Sequence, residues 1–184
     1  MKKCGFVTIM GRPNVGKSTL LNGLLNIHLA ITTDKAGTTR NSIEGIYQDD
    51  ESQIVFIDTP GIHKPIHKLG NVLNKTAYQN MNQADIILFM IDAKTGFGKG
   101  DQFILNKIKE TEDVPVFLLL NKVDKIAKET LFRTINKATQ DFTFQEVIPI
   151  SALEKDGLDD LVKTLKKYLP VSDPIFEDDA LTNV

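Results

Sequence analysis

A short segment near the start of the chain, GRPNVGKS at Gly11–Ser18, matches the phosphate-binding pattern G-x-x-x-x-G-K-[ST] at every defined position. The mostly apolar Gly5–Met10 precedes it, and Ser18–Asn26 follows with leucines at helical spacing. In such a strand–loop–helix context, successive backbone N–H groups can hold phosphate oxygens. We expect Lys17 to neutralise the β- and γ-phosphates and the Ser18 hydroxyl to ligate Mg²⁺. The sequence therefore predicts a nucleoside triphosphate site, with nucleotide contacts from Gly11, Arg12, Pro13, Asn14, Val15, Gly16, Lys17, Ser18 and Thr19.

A second motif, DTPG at Asp58–Gly61, follows a predicted buried strand. Alone, this string is a common turn. One strand downstream of a phosphate loop, it indicates nucleotide hydrolysis, because Asp58 can hold Mg²⁺ through water and the Gly61 amide can contact the γ-phosphate. The contacts expected from this segment are Asp58, Thr59, Pro60, Gly61 and Ile62.

The third motif, NKVD at Asn121–Asp124, follows another buried strand and selects the base. The Asp124 carboxylate can accept hydrogen bonds from guanine N1 and the exocyclic amine, whereas adenine would leave a buried carboxylate unpaired. Asn121 would tie this loop to the phosphate loop, and the stem of Lys122 would cover the base. Ser151–Ala152, after the next strand, offers a backbone N–H to guanine O6. The expected base contacts are Asn121, Lys122, Val123, Asp124, Ser151, Ala152 and Leu153.

Two adjacent threonines, Thr38 and Thr39, are candidates to complete the Mg²⁺ shell when the γ-phosphate is present. We favour Thr39, and the alternative is two hydroxyls in a mobile loop. The predicted metal ligands are therefore Ser18, Thr39 and Asp58.

The bulk composition is that of a globular protein: 184 residues, 41% hydrophobic, 25% charged, with a net charge of -2. This charge argues against the chain alone being a strong nucleic-acid binder. The single cysteine, Cys4, excludes an internal disulfide. Apolar runs such as Ile86–Ile91 are too short to span a bilayer. A cytoplasmic location is the default expectation.

Strands and helices alternate along the chain, which predicts an α/β fold of the P-loop NTPase type. We expect a three-layer α/β/α domain over residues 1–170 with a mainly parallel six-stranded sheet, followed by an acidic linker over 171–184. The predicted strands are Gly5–Met10, Ile43–Gln48, Ile54–Asp58, Asp85–Asp92, Val114–Leu120 and Glu146–Ile150. The predicted helices are Ser18–Asn26, Val72–Met81, Asp101–Ile108, Lys128–Gln140 and one with a leucine stripe between Leu158 and Leu169, and Ile27–Asn41 is predicted to be a loop.

The chain resembles the translation-factor-like GTPases, and more closely the Era family of bacterial ribosome-assembly GTPases. The resemblance covers nearly the whole chain, and the IHKPIHKLG continuation after DTPG is its most specific part. The segments that carry it are Gly11–Asn22, Asp34–Ile46, Asp58–Gly70, Gly96–Asp101 (GFGKGD), Asn121–Asp124 and Pro149–Leu153 (PISAL).

This resemblance implies binding of GTP and GDP with Mg²⁺ and a role late in assembly of the small ribosomal subunit. Members bind near the 3′ end of 16S ribosomal RNA through a KH domain that follows the GTPase domain. The sequence stops at Val184, where that domain would begin, so we expect an excised GTPase domain, with a truncated natural protein as the alternative. RNA binding is therefore not assigned to this chain. The sequence predicts no transmembrane segment, and it leaves peripheral association with a membrane as an open alternative.

The expected catalytic residues are Lys17, Asn14, Thr39 and Gly61. Ile62 stands where many signalling GTPases carry a water-orienting glutamine, and it cannot orient water by hydrogen bonding. Pro13 makes insertion of an arginine finger less favourable. The resemblance implies that Asn14 helps to hold K⁺ beside the β- and γ-phosphates in its place. We expect His63 and Arg40 to be ordinary loop residues. The alternatives are that His63 relays a water and that Arg40 acts as an arginine finger.

Three other functions compete with a GTPase switch. A P-loop kinase or ATPase predicts ATP preference and no NKVD motif. A docking module would hold nucleotide with negligible hydrolysis, and the sequence does not exclude it. A GTPase of another ribosome or tRNA pathway is disfavoured by IHKPIHKLG.

Overall fold

The structure, a computed structural model, describes residues 2–25, 27–32, 42–57, 84–111 and 113–175. Within them the strands form one mixed sheet in the order β2-β3-β4-β1-β5-β6-β7, with β8 beside β1. The strands are β1 Lys2–Met10, β2 Ile27–Thr32, β3 Ser42–Gln48, β4 Ser52–Ile57, β5 Ile86–Asp92, β6 Val116–Asn121, β7 Glu146–Pro149 and β8 Val171–Ser172. The helices are α1 Lys17–Leu24, α2 Lys99–Ile108, α3 Lys128–Ala138 and α4 Leu158–Tyr168, with a 3₁₀ turn at Val123–Lys125.

The predicted α/β fold with a mainly parallel sheet is confirmed. β1 pairs in parallel with both β4 and β5, and the parallel pairing continues through β6 and β7. Helices α1 and α4 cover one face, and α2 and α3 cover the other. Because parallel strands run in one direction, the loops that follow β1, β5, β6 and β7 open at one edge of the sheet, where ligands bind in such folds.

Strand β5 shows why the sequences of the central strands are continuous runs of apolar residues. All of its residues are buried, because both faces of the sheet are covered. Alternate side chains enter opposite layers: Ile86, Leu88 and Met90 pack with α1 and α4, and Ile87, Phe89 and Ile91 pack with α2 and α3.

All six predicted strands are present, and two further strands join them. The prediction of a loop from Ile27 was wrong at its start, since Ile27–Thr32 forms β2, which pairs antiparallel with β3 at the edge of the sheet. The register of this pairing shifts between His28 and Ile31. Ile27, Leu29 and Ile31 stand at every second position, which is a strand pattern that the loop prediction overlooked.

Strand β8 lies where we expected the linker to begin. Val171 and Ser172 pair antiparallel with Lys3 and Lys2, and Ile175 packs on a small apolar cluster formed by β3 and β4. The chain thus stays on the sheet to Ile175, and the domain boundary after residue 170 stays a prediction. The predicted helix Val72–Met81 and the rest of the tail lie outside the described residues. No helix in the described ranges is long and apolar enough to cross a membrane.

Candidate nucleotide-binding site

The loop Gly11–Ser18 leaves the centre of the sheet at the end of β1 and enters α1. Two close approaches require glycine. A Cβ at Gly11 would lie 2.6 Å from the carbonyl oxygen of Met90, and one at Gly16 would clash with Asn121 Nδ2. Gly16 also has φ 107°, a left-handed conformation that L side chains rarely adopt. Immediately after it, the Leu20 N–H donates to the Gly16 carbonyl at 2.9 Å, which starts the helix.

A cavity of about 470 Å³ opens over this loop and the first turn of α1. No side chain that lines it is acidic among the described residues, and Lys17 has no acidic partner there. The N-terminus of α1 directs its unpaired N–H groups to the same space, and an anion is favoured at such a helix end. The arrangement suits a chain of phosphates. The cavity is lined by Arg12, Pro13, Asn14, Gly16, Lys17, Ser18, Thr19 and Lys122.

Asn121, at the end of β6, fastens the phosphate loop to the loop that follows β7. Its Nδ2 donates to the Val15 carbonyl at 2.9 Å, and its Oδ1 accepts from the Ala152 N–H at 2.9 Å. The side chain is almost fully buried, so both partners would lose their hydrogen bonds in a dry environment if it were removed. The bond to Val15 joins the NKVD loop to the phosphate loop, as we expected, and the bond from Ala152 adds the loop after β7, which the sequence did not indicate.

Lys122 joins the phosphate loop to the end of β5. With φ 68°, its backbone turns so that Nζ reaches Asp92 Oδ2 at 2.8 Å and the Asn14 carbonyl at 3.3 Å. Burial acts to raise the pKa of Asp92, but Lys122 and the Lys94 N–H outweigh it and hold that pKa below its usual range. Asp92 is therefore a charged anchor, at the end of β5, for the lysine that borders the phosphate cavity.

A smaller cavity of about 280 Å³ adjoins the phosphate cavity, and the two share Gly16, Thr19 and Lys122. Asp124 lies on its wall, where Oδ1 accepts from the Ser151 hydroxyl at 2.8 Å. A carboxylate fixed in this way can accept paired hydrogen bonds from a flat ring with adjacent N–H donors. Leu153, whose surface is 70% exposed, contributes an apolar edge. This cavity has the chemistry expected of the base site.

The structure changes one detail of the predicted base contacts. The Ser151 N–H donates to the Asp156 carbonyl at 3.0 Å, and the Ala152 N–H donates to Asn121 Oδ1. Both groups that we expected to face guanine O6 are thus engaged within the protein. The next N–H along the chain, that of Leu153, has no acceptor among the described residues. The backbones of Ser151 and Asp156 form an antiparallel bridge, and this bridge determines which N–H groups of the turn are occupied. The sequence did not indicate this bridge.

Arg12 was predicted to contact the nucleotide, but its side chain is held by the segment that follows β5. Its Nε donates to Asp101 Oδ1 at 2.9 Å, and its Nη2 donates to Thr95 Oγ1 at 2.9 Å. Asp101 is fully buried, and its other oxygen accepts from the Gly98 N–H at 2.8 Å. The arginine stem passes over Gly100, where a Cβ would lie 2.6 Å from Arg12 Cδ. Arg12 therefore anchors the phosphate loop to α2.

Asp92 and Asp101 are the positioning residues that sequence reasoning missed. A signal for each existed, because Asp92 ends a buried strand and Asp101 closes the GFGKGD segment. Several predicted site residues lie outside the described residues, and their roles stay predictions. They are Thr38, Thr39, Arg40, Asp58, Thr59, Pro60, Gly61, Ile62, His63 and His67.

Comparisons with known proteins agree with this geometry. A sequence profile of the family described as 50S ribosome-binding GTPase matches residues 6–122. The GTPase Era of Clostridium kluyveri is 46% identical over 183 residues, which is all of this chain and 62% of that protein. A crystal structure of Aquifex aeolicus Era bound to GDP and aluminium fluoride superposes with TM-score 0.76 at 44% identity, covering 96% of this chain and 60% of that one.

A further crystal structure holds Era with MgGDPNP and nucleotides 1506–1542 of 16S ribosomal RNA. It matches with TM-score 0.77 at 43% identity, over 97% of this chain and 61% of that one. The chain thus spans about three fifths of the length of these relatives.

Proposed function

Because the chain belongs to the 50S ribosome-binding GTPases and, among them, to the Era family, we propose that it binds GTP with Mg²⁺ and hydrolyses it as a molecular switch. The observation that carries this proposal is the Asp124 carboxylate, which Ser151 holds on the wall of the smaller cavity. This acceptor suits the adjacent N1–H and amine of guanine. Adenine presents no such pair of donors, so an adenine nucleotide would cover this carboxylate without offering it a hydrogen bond.

The phosphates would occupy the larger cavity. Lys17 and the first N–H groups of α1 would hold the β- and γ-phosphates there, and Ser18 would ligate Mg²⁺ together with Asp58 and Thr39. When bound, Mg²⁺ neutralises charge that develops on the phosphate oxygens during transfer. The protein's own share is to keep the loop fixed, which Asn121, Lys122 and Arg12 do through their contacts.

Intrinsic hydrolysis is expected to be slow, because Ile62 has no group that orients water. Unassisted GTPases turn over at about 10⁻⁴ s⁻¹. K⁺ held in part by Asn14 would supply positive charge beside the phosphates, where an arginine finger is not expected. The position of Asn14 supports such a role, since this residue lines the phosphate cavity together with Lys17 and Ser18.

For the natural protein we propose a role in assembly of the small ribosomal subunit. The family name refers to the 50S particle, but an Era protein 43% identical to this chain was crystallised with 16S ribosomal RNA. The likeness to Era covers nearly the whole chain, whereas the family profile ends at residue 122, so we weight the 16S relationship more. A test is whether the protein, as its cells make it, retains an RNA with the sequence of nucleotides 1506–1542 of 16S ribosomal RNA, and the same measurement on this chain shows what these residues contribute.

Phosphate release from GTP and ATP tests the enzymatic proposal, measured with Mg²⁺ in KCl and in NaCl. We expect release from GTP alone, and its loss in Lys17→Ala. Lys163→Ala, on the exposed face of α4, is the matched control and should behave like the wild type. Release from ATP would favour a P-loop kinase or ATPase. GTP binding without release under any of these conditions would favour the docking module.

A further inference from the structure

A second large cavity lies outside the nucleotide site, between the segment that follows β5 and helix α3. We call it the α3 cavity. Its volume is about 450 Å³, close to that of the phosphate cavity. One wall is the turn Thr95–Phe97, and the other is a face of α3 that presents Thr130, Arg133, Thr134 and Lys137. Among the residues that the structure describes, none of the predicted nucleotide contacts lines it.

The wall of the cavity that α3 forms carries two positively charged side chains, Arg133 and Lys137. Thr130, Arg133, Thr134 and Lys137 stand at i, i+3, i+4 and i+7, so one face of α3 directs two hydroxyls and two cations to the cavity. None of the residues that line it is acidic. Arg133 and Lys137 form no ion pair with any described residue.

The remaining polar groups also favour an anion. The Thr134 hydroxyl already donates to the Thr130 carbonyl at 3.0 Å, so the hydroxyl donor that this face offers to an anion is that of Thr130. Asn136 and Gln140 add side-chain amides at the rim, and Phe97, packed against the core below, adds a flat apolar floor. Arginine with neighbouring amide and hydroxyl donors suits the oxygens of a phosphate group.

From these contacts we propose that the α3 cavity binds a phosphate group, carried by a nucleic-acid backbone or by a free phosphorylated solute. The site lies beside the nucleotide site without sharing a residue with either of its two cavities. Thr95 connects the α3 cavity to the nucleotide site, because it lines the α3 cavity and accepts a hydrogen bond from Arg12 of the phosphate loop. The net charge of -2 does not oppose this binding, because the positive charge is local.

The test uses the chain saturated with GDP and Mg²⁺, so that its phosphate loop is already filled. Backbone amide shifts of Gly96 and Phe97 are followed by NMR while inorganic phosphate or an oligouridylate is added. The variant Arg133→Gln/Lys137→Gln removes both cations. Lys163→Gln/Lys167→Gln is the matched control, since it removes two exposed lysines at the same spacing from α4.

We expect saturable shifts in the wild type and in the control, and binding weakened by about tenfold or more in the α3 variant. If the oligouridylate binds more tightly than phosphate, the group belongs to a nucleic-acid backbone. The slope of log K against log[salt] should then be smaller in magnitude by about 1.4 in the α3 variant, because each of the two lost phosphate contacts contributes about 0.7. Binding of phosphate alone assigns the site to a free solute.

Two results would overturn the proposal. One is the absence of shifts at Gly96 and Phe97 with either probe, and the other is equal binding by the α3 variant and the wild type. Hydrolysis of GTP is not measured here, so failure of this site and failure of the GTPase proposal are separable.

Discussion

Asn121 Nδ2 lies 2.9 Å from the carbonyl oxygen of Val15, although 106 residues separate them in the chain. The other end of the same amide accepts from the Ala152 N–H. One side chain thereby holds the phosphate loop, the end of β6 and the turn after β7 in a fixed relation. The base and phosphate cavities adjoin because these three segments are joined here.

Replacing Asn121 tests this joint. Asn121→Ala would leave the Val15 carbonyl and the Ala152 N–H without partners in a buried place, at a cost of about 2–4 kcal/mol in the free energy of unfolding. Guanine nucleotide affinity should also fall. Chemical denaturation of Asn121→Ala beside Asn106→Ala, an exposed asparagine of α2, measures the effect. Equal midpoints for the two variants would show that the amide is dispensable.

The ion pair between Arg12 and Asp101 is open to a double-mutant cycle. Arg12→Ala would leave a fully buried carboxylate with only the Gly98 N–H, and we expect a loss of about 1–3 kcal/mol, since the arginine side chain is 31% exposed. Asp101→Asn should cost less on its own. The coupling energy between the two should exceed about 0.5 kcal/mol. If the free energies of unfolding lost by the two single variants simply add in the double variant, as measured by urea denaturation, the ion pair does not stabilise the fold and Arg12 is held by its other contacts.

Asp49, in the β3–β4 turn, should make stability depend on acid pH. Burial acts to raise the pKa of Asp49, but hydrogen bonds from Lys166 and the Glu51 N–H outweigh it, so the folded-state pKa lies well below its usual range. A lowered folded pKa gives stability that is present above the unfolded value of about 3.9 and is lost as the pH falls below it.

The measurement compares the wild type with Asp49→Asn, which can keep the turn's hydrogen bonds to Glu51 and Ser52. The difference in free energy of unfolding should be constant between about pH 5 and pH 8 and should narrow below about pH 4. Lys166, whose pKa is raised by this pairing against its desolvation, loses its share only at alkaline pH. A difference that stays constant into strong acid would contradict the assignment.

Asn14 is expected to determine whether K⁺ stimulates hydrolysis. Asn14→Ala should remove the stimulation, because no side-chain oxygen would remain to help to hold the ion. Alanine is strained at φ 69°, so Asn14→Gly, which tolerates this conformation, separates loss of the amide from loop distortion. Phosphate release in KCl and NaCl compares the three proteins. Full K⁺ stimulation of Asn14→Gly would exclude the side chain as a ligand.

The sequence predicted what depends on local pattern. Runs of apolar residues that end in motif residues predicted six of the strands, the glycines at 11 and 16 and the loops that bear Asn121 and Asp124. Orientation of Arg12 could not be predicted, because its partner Asp101 lies 89 residues away and meets it only in the folded sheet. β2 was missed although its apolar residues alternate, because the polar, glycine-containing segment that follows it favours a loop for the whole stretch.

Guanine recognition by Asp124 is the central claim, and a change of base tests it most directly. Nucleotide affinity is measured for the wild type and Asp124→Asn with GTP, XTP and ATP. Asparagine at this position can still accept from N1–H and from Ser151, but its amide would donate to the C2 carbonyl of xanthine. We predict that the wild type prefers GTP over XTP and ATP by about 10³-fold or more, and that Asp124→Asn prefers XTP. An unchanged preference for GTP in Asp124→Asn, or equal binding of ATP by the wild type, would contradict the assignment of this cavity to guanine.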